Sequence, residues 1–198
     1  MLIGTRKLAH RIRVNEKPAD SDAGRLYTAM DRLMDSKFLT NTELEALSQA
    51  AAAAPRLRMN RNLHAELADP VQRLAIAMEP GTYVRPHRHV HTWEMLIVLA
   101  GELELVLFEA DGATVSGREV LSRDHKAVFE MPAGTWHSVI SRRPGTVVFE
   151  VKQGPYQPIA PDDMAAWAPA EGDAAVASFL RFLASARAGQ RWPGGSAA

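Results

Sequence analysis

His87, His89, Glu94 and His137 are the residues of this 198-residue chain whose types and spacing fit a metal centre. On an extended strand, residues two apart face the same way, so His87 and His89 can reach one point inside a β-structure. Glu94 lies too far along to keep that parity and is expected from a bend or from the start of the next strand. His137 follows the turn Pro132-Ala-Gly134-Thr-Trp136 and so arrives on a separate strand, as closure of a site between strands requires. Three neutral imidazoles and a carboxylate suit Fe(II), Mn(II), Ni(II), Co(II) or Zn(II), and on an octahedral ion they leave two positions for substrate or water. The chain has no cysteine, which excludes thiolate ligands and disulfides. The expected cofactor is therefore one divalent transition metal on nitrogen and oxygen donors.

Positioning such a set requires several short strands. Val71–Met78, Met95–Leu99, Leu103–Phe108, Val128–Met131, Trp136–Ser141 and Thr146–Val151 read as strands, separated by Glu79-Pro80-Gly81, Gly101, Asp111-Gly112, Pro132-Ala-Gly134 and Pro144-Gly145. Leu103, Leu105 and Leu107 alternate with Glu102 and Glu104, the half-buried pattern. Short strands at this spacing indicate a sandwich or small barrel, not a parallel α/β sheet. Before them, Thr40-Asn-Thr-Glu43 supplies cap residues for a helix ending at Pro55. After them, Val176, Phe179, Leu180 and Leu183 fall on one stripe of a C-terminal helix spanning about 173–188. The resulting organisation is a peripheral arm (1–33), a helical segment and connector (34–70), the barrel (71–160), and a C-terminal helix and tail (161–198). Trp192-Pro-Gly-Gly-Ser196 is expected to fray.

Several polar and aromatic residues are candidates for the space around the metal. Arg56, Arg58, Asn62 and His64 form a polar cluster, and a guanidinium fork suits carboxylate or phosphate. This segment is expected across the barrel mouth, with Arg58 and Asn62 binding an anionic substrate. Gln72 and Arg73 interrupt an apolar strand, and Arg73 is placed with the substrate-binding residues. Trp136 and Tyr156, with Tyr83, could line an aromatic wall. His64 and Tyr83 are the candidates for moving a proton. Arg85 and His91 share parity with His87 and His89, but His91 is read as a rim residue. Lys152 is read as an exposed strand end.

Gly81-Thr-Tyr-Val-Arg-Pro-His87-Arg-His89-Val-His-Thr-Trp-Glu94, closing at Gly101, resembles the first motif of the cupin superfamily, and Pro132-Ala-Gly134-Thr-Trp-His137 resembles the second. The second departs at Lys126, where a glycine is usual, and at Ser141, where an asparagine is usual; neither is a ligand position. Arg56 to His64, Asp69-Pro-Val-Gln72-Arg73, Gly154-Pro-Tyr156 and Trp167-Ala-Pro-Ala-Glu171-Gly resemble the WbuC family of cupin-fold metalloproteins, from about Thr40 to Gly172. That resemblance implies a mainly β single cupin with flanking helices, a metal on the four residues above, and a setting in bacterial cell-surface polysaccharide metabolism.

Lys+Arg and Asp+Glu are equal at 23 each, so no global field favours nucleic acid. No apolar run approaches the ~18 residues of a membrane span, and the basic N-terminus lacks the apolar core of a secretory signal. A cytoplasmic protein with a small-molecule substrate is expected. Exposed strand edges and the N-terminal arm are compatible with a homodimer. The chemistry that fits is metal-dependent isomerisation or epimerisation of a small polar, sugar-like or anionic substrate. Alternatives are Fe(II)-dependent dioxygenation and a non-catalytic, metal-dependent ligand sensor.

Overall fold

The computed structural model describes residues 36–194. The chain divides into two units, Met1–Lys37 and Phe38–Ala198. The arm expected over 1–33 lies outside the described residues.

Helix α1 (Asn41–Ala53) begins at Thr40, whose hydroxyl accepts from the Glu43 amide while the Glu43 carboxylate accepts from the Thr40 amide at 2.8 Å. This reciprocal cap satisfies two amides that the first turn leaves without helical partners. Thr40→Ala is expected to cost about 1 kcal/mol, read as a lowered urea midpoint at unchanged m-value.

Eight strands follow: β1 (Arg58–Asn62), β2 (Val71–Met78), β3 (Glu94–Ala100), β4 (Glu102–Phe108), β5 (Val115–Ser122), β6 (Val128–Met131), β7 (His137–Ser141) and β8 (Thr146–Gln153). They form two antiparallel sheets, one in the order β1-β2-β8-β3-β6 and one in the order β5-β4-β7. Met78, Leu96, Val98, Met131 and Val148 from the first sheet meet Leu103, Leu105, Leu121 and Val139 from the second, so the core lies between the sheets. On the outer face of the larger sheet, Ala75, Ala77 and Val147 are small enough to admit Leu47 and Ala51 of α1. Gly101 turns β3 into β4 at φ 70, and a Cβ there would stand 2.6 Å from Thr146 Cα, so no other residue fits without a shift.

The C-terminal helix α2 (Val176–Ser185) covers the smaller sheet, packing Phe179 and Leu183 with Val106, Phe108 and Val115. This cover changes the reading of β4. Glu104 is buried rather than solvated, held at 2.7 Å by both Arg118 and Arg142, because both faces of β4 are packed. Trp192 does not fray. It is buried against Phe179 and Phe182, and its amide donates to the Ala113 carbonyl at 3.2 Å. The polar stretch from Arg58 to Asn62 is likewise no mouth-spanning connector: it is β1, an edge strand whose Arg58 pairs with Met78 and whose Asn62 pairs with Leu74. Among the described residues, no helix is long and apolar enough to cross a membrane.

Candidate metal centre

The centre is assembled from backbone pairing before any side chain is considered. His87 and His137 exchange two amide–carbonyl hydrogen bonds, at 3.0 and 2.9 Å, which locks the otherwise irregular 85–91 segment to the start of β7. The Gly134 amide, in the turn before β7, donates to the His89 carbonyl at 2.8 Å and fixes the second histidine. Glu94 opens β3. On the other side, the Arg88 amide donates to the Asp163 carbonyl and the Ala165 amide to the Pro86 carbonyl, so the chain following the barrel braces the His87 segment.

The ligand nitrogens of His87, His89 and His137 lie within 4.8 Å of one another, a grouping that could hold a metal ion. His87 Nδ1 donates to the Arg85 carbonyl and His137 Nδ1 to the Thr135 carbonyl, each at 2.9 Å. A carbonyl only accepts, so both rings carry a proton on Nδ1 and turn Nε2 inward, the arrangement that backbone support gives a metal-binding imidazole. His89 Nε2 is buried without a hydrogen-bond partner among the described residues. The buried Glu94 carboxylate places Oε1 3.4 Å from His89 Nε2 and Oε2 3.2 Å from His137 Nε2. An orphaned buried nitrogen beside a buried carboxylate and two inward Nε2 atoms is a donor set that a divalent cation would satisfy.

The electrostatics agree. Burial, reinforced by the neighbouring His137, pulls the His87 imidazole down to about 3, so it is neutral at any ordinary pH. Burial also opposes charge on His137, but the hydrogen bond and charge of Glu94 outweigh it and raise that imidazole. Glu94 is pushed up by burial, yet His137, His89 and Lys152 hold it well below the usual carboxylate range. The proton that competes with a metal therefore sits between His137 and Glu94. Metal affinity is expected to fall as pH drops through the raised His137 value, to be flat above it, and to gain nothing from His87. Calorimetric titration of Zn(II) in two buffers of different ionisation enthalpy should show about one proton released per metal near the neutral end of that fall.

The other sequence-derived candidates are dispersed. Tyr83 is corrected as a proton carrier: its hydroxyl donates to the Pro169 carbonyl at 2.6 Å, its ring meets Phe179 edge-on, and burial pushes its ionisation far up. Arg58 bridges the Tyr83 carbonyl and Glu171 Oε1, tying β1 to the C-terminal segment instead of reaching a substrate. Asn62 is exposed and accepts from Asn60 at 2.9 Å; Arg73 is exposed beside Asp69 at 3.5 Å. Trp136 stacks under the Arg88 guanidinium at 4.8 Å, and Tyr156 is half exposed. His64 is buried with Nδ1 3.0 Å from the Arg73 backbone and Nε2 unpartnered among the described residues, but it shares no hydrogen bond there with the histidine trio. Arg85 donates twice to the Ala165 carbonyl, and His91 is exposed at the rim.

Two neighbours of the centre were not anticipated. Lys152 is not an exposed strand end: it pairs across the sheet with Glu94 and lies 3.4 Å from Glu94 Oε1 and 2.7 Å from Glu150 Oε1. Glu150, two residues earlier on the same face, is buried. Strand parity puts both on the same face as the core residue Val148, but that this face stays buried to the end of the strand depends on the register with Glu94 and Leu96.

Two antiparallel sheets enclosing this cluster, with both histidine motifs meeting across paired strands, settle the architecture. The fold is a single cupin barrel. A family model described as a domain of unknown function (DUF6016) matches residues 39–121, less than half of the chain. No curated protein matches. Among solved structures, KdgF from Halomonas sp. is 19% identical over 52% of this chain and 84% of its own, at a TM-score of 0.41. BH2720 from Bacillus halodurans is 19% identical over 63% and 86%, at 0.42. The DMSP lyase DddQ from Ruegeria pomeroyi is 19% identical over 51% and 49%, at 0.41. With scores this low, these likenesses carry no functional assignment.

Proposed function

We propose that the cupin holds one divalent transition metal through His87, His89, Glu94 and His137, and that this centre acts on a small polar, sugar-like or anionic substrate. The observation that carries the reading is the pair of backbone-anchored imidazoles, His87 and His137, facing the orphaned Nε2 of His89 across the Glu94 carboxylate. A metal there supplies Lewis acidity to a substrate carbonyl or hydroxyl oxygen. The chain's own contribution is to orient three imidazoles, with His87 held neutral by burial, to offset the cation's charge with Glu94, and to exclude bulk water by burial. Isomerisation or epimerisation fits these roles. The motif resemblance to WbuC proteins supports a setting in bacterial cell-surface polysaccharide metabolism, in the cytoplasm. The deciding experiment is elemental analysis of the purified chain, followed by turnover assays of the metal-loaded protein on nucleotide sugars and on small sugar acids. One equivalent of metal with substrate conversion supports the reading; metal-free protein after loading with Fe(II), Mn(II), Co(II), Ni(II) and Zn(II) in turn rejects it.

A further inference from the structure

A buried ion pair lies directly beside the metal residues and is used by none of the roles above. Glu150 retains 9% of its surface and Lys152 is mostly buried, both inside the barrel on β8. Their cross-strand neighbours are mixed: Glu150 sits opposite Leu74 and Leu96, and Lys152 opposite Gln72 and Glu94. Burying such a pair is a weak device for stability, because desolvating two charges consumes most of what their attraction returns, and apolar residues of similar size commonly do as well. A charged pair held against a functional centre points instead to a ligand.

The geometry says which kind. Lys152 lies on the last inward row of the barrel, with Gln72 and Glu94, where β2 and β3 begin and β8 ends. Glu150 is one inward row deeper. The Lys152 ammonium has three N–H donors. The two carboxylates, at 2.7 Å and 3.4 Å, engage two of them, and among the described residues nothing engages the third. The charges then constrain the ligand. When a divalent cation occupies the imidazoles, and Glu94, Glu150 and Lys152 are ionised, the buried cluster carries one net positive charge. A ligand bearing one negative charge neutralises it; a neutral polyol leaves it uncompensated, and a dianion overshoots.

Resting on the metal reading above, we propose that Lys152, aligned by Glu150, is the anion-recognition element of this centre and that the site selects small ligands carrying a single carboxylate. Lys152 donates its free N–H to the ligand carboxylate, and Glu150 holds the ammonium in place and limits the pocket to one negative charge.

The test uses the full chain loaded with Co(II), whose visible absorption reports ligands entering the centre, with acetate as the monoanion and ethylene glycol as the neutral comparator. Wild type should bind acetate at least 10-fold more tightly than ethylene glycol. Lys152→Met should weaken acetate at least 10-fold, and Glu150→Gln should tighten it, since it removes a competing negative charge. The Lys152→Met/Glu150→Gln double variant keeps the net charge and avoids an unpaired buried carboxylate, so it folds even if Lys152→Met alone does not. It should still lose the 10-fold, and ethylene glycol should be unaffected throughout. Wild-type acetate affinity in the double variant would overturn the proposal. So would loss of Co(II) from it, which would make the pair only a support for Glu94. A wild type that takes up no Co(II) would fail earlier, at the metal reading itself.

Discussion

His137→Ala should abolish stoichiometric metal binding while leaving the barrel folded. The backbone exchange between residues 87 and 137 needs no side chain, so alanine preserves the pairing that shapes the site. What disappears is an Nε2 ligand atom 3.2 Å from Glu94 Oε2. Loss of a partner one shell out from a metal ordinarily costs 10–100-fold in affinity, so loss of a ligand is expected to exceed about 100-fold. The effect should appear twice. Elemental analysis should fall below one-tenth of an equivalent. The wild-type gain in stability with metal, about 2.7 kcal/mol at a metal concentration 100 times Kd, should vanish in the variant. His91→Ala is the matched control: its ring is 6.4 Å from that of His89 but exposed at the rim, and metal content should not change. Full metal occupancy in His137→Ala would sink the assignment of the centre.

The contrast between these two histidines shows what sequence could and could not supply. Strand parity groups 85, 87, 89 and 91 together, and it rightly brings 87 and 89 to one point. Only His87 of that segment forms a β-type pairing, however, and past His89 the chain turns away, so parity stops holding at His91. Turn chemistry was more dependable: glycines with positive φ stand at positions 81, 101, 112, 134 and 145, each beside a boundary that the sequence marks as a turn. Lys152 and Glu150 were illegible for a different reason. A charged residue near a strand end is ordinarily solvated, and what reverses that here is the register that sets Lys152 opposite Glu94. Register is a long-range property that no local pattern carries. Arg58 shows the same limit. Its polarity suggested a ligand, but its actual partners, the Tyr83 carbonyl and Glu171, are supplied by segments 25 and 113 residues away.

The C-terminal helix offers the second large effect, on stability. Phe179 has no exposed surface and is ringed by Tyr83, Trp167, Phe182 and Trp192, with ring centroids 5.1 to 6.2 Å away. The aromatic neighbours cannot fully collapse into the space a benzyl group leaves, because two of them are anchored elsewhere: the Tyr83 hydroxyl on the Pro169 carbonyl, the Trp192 amide on the Ala113 carbonyl. Phe179→Ala is therefore expected to cost 3–5 kcal/mol, the range for a large aromatic removed from a core that relaxes little. Equilibrium urea unfolding of the metal-free chain would measure it, and a loss under about 1 kcal/mol would mean that the helix is not integral to the fold. The consequence should extend to the centre. The same C-terminal segment contributes Asp163, whose carbonyl accepts from the Arg88 amide and whose carboxylate holds the Arg88 guanidinium at 2.8 Å, between the two histidines of the first motif. Loosening α2 should thus weaken metal binding too, though by far less than His137→Ala. The two variants separate cleanly: one loses the ion with its fold intact, and the other loses fold stability first and the ion as a result.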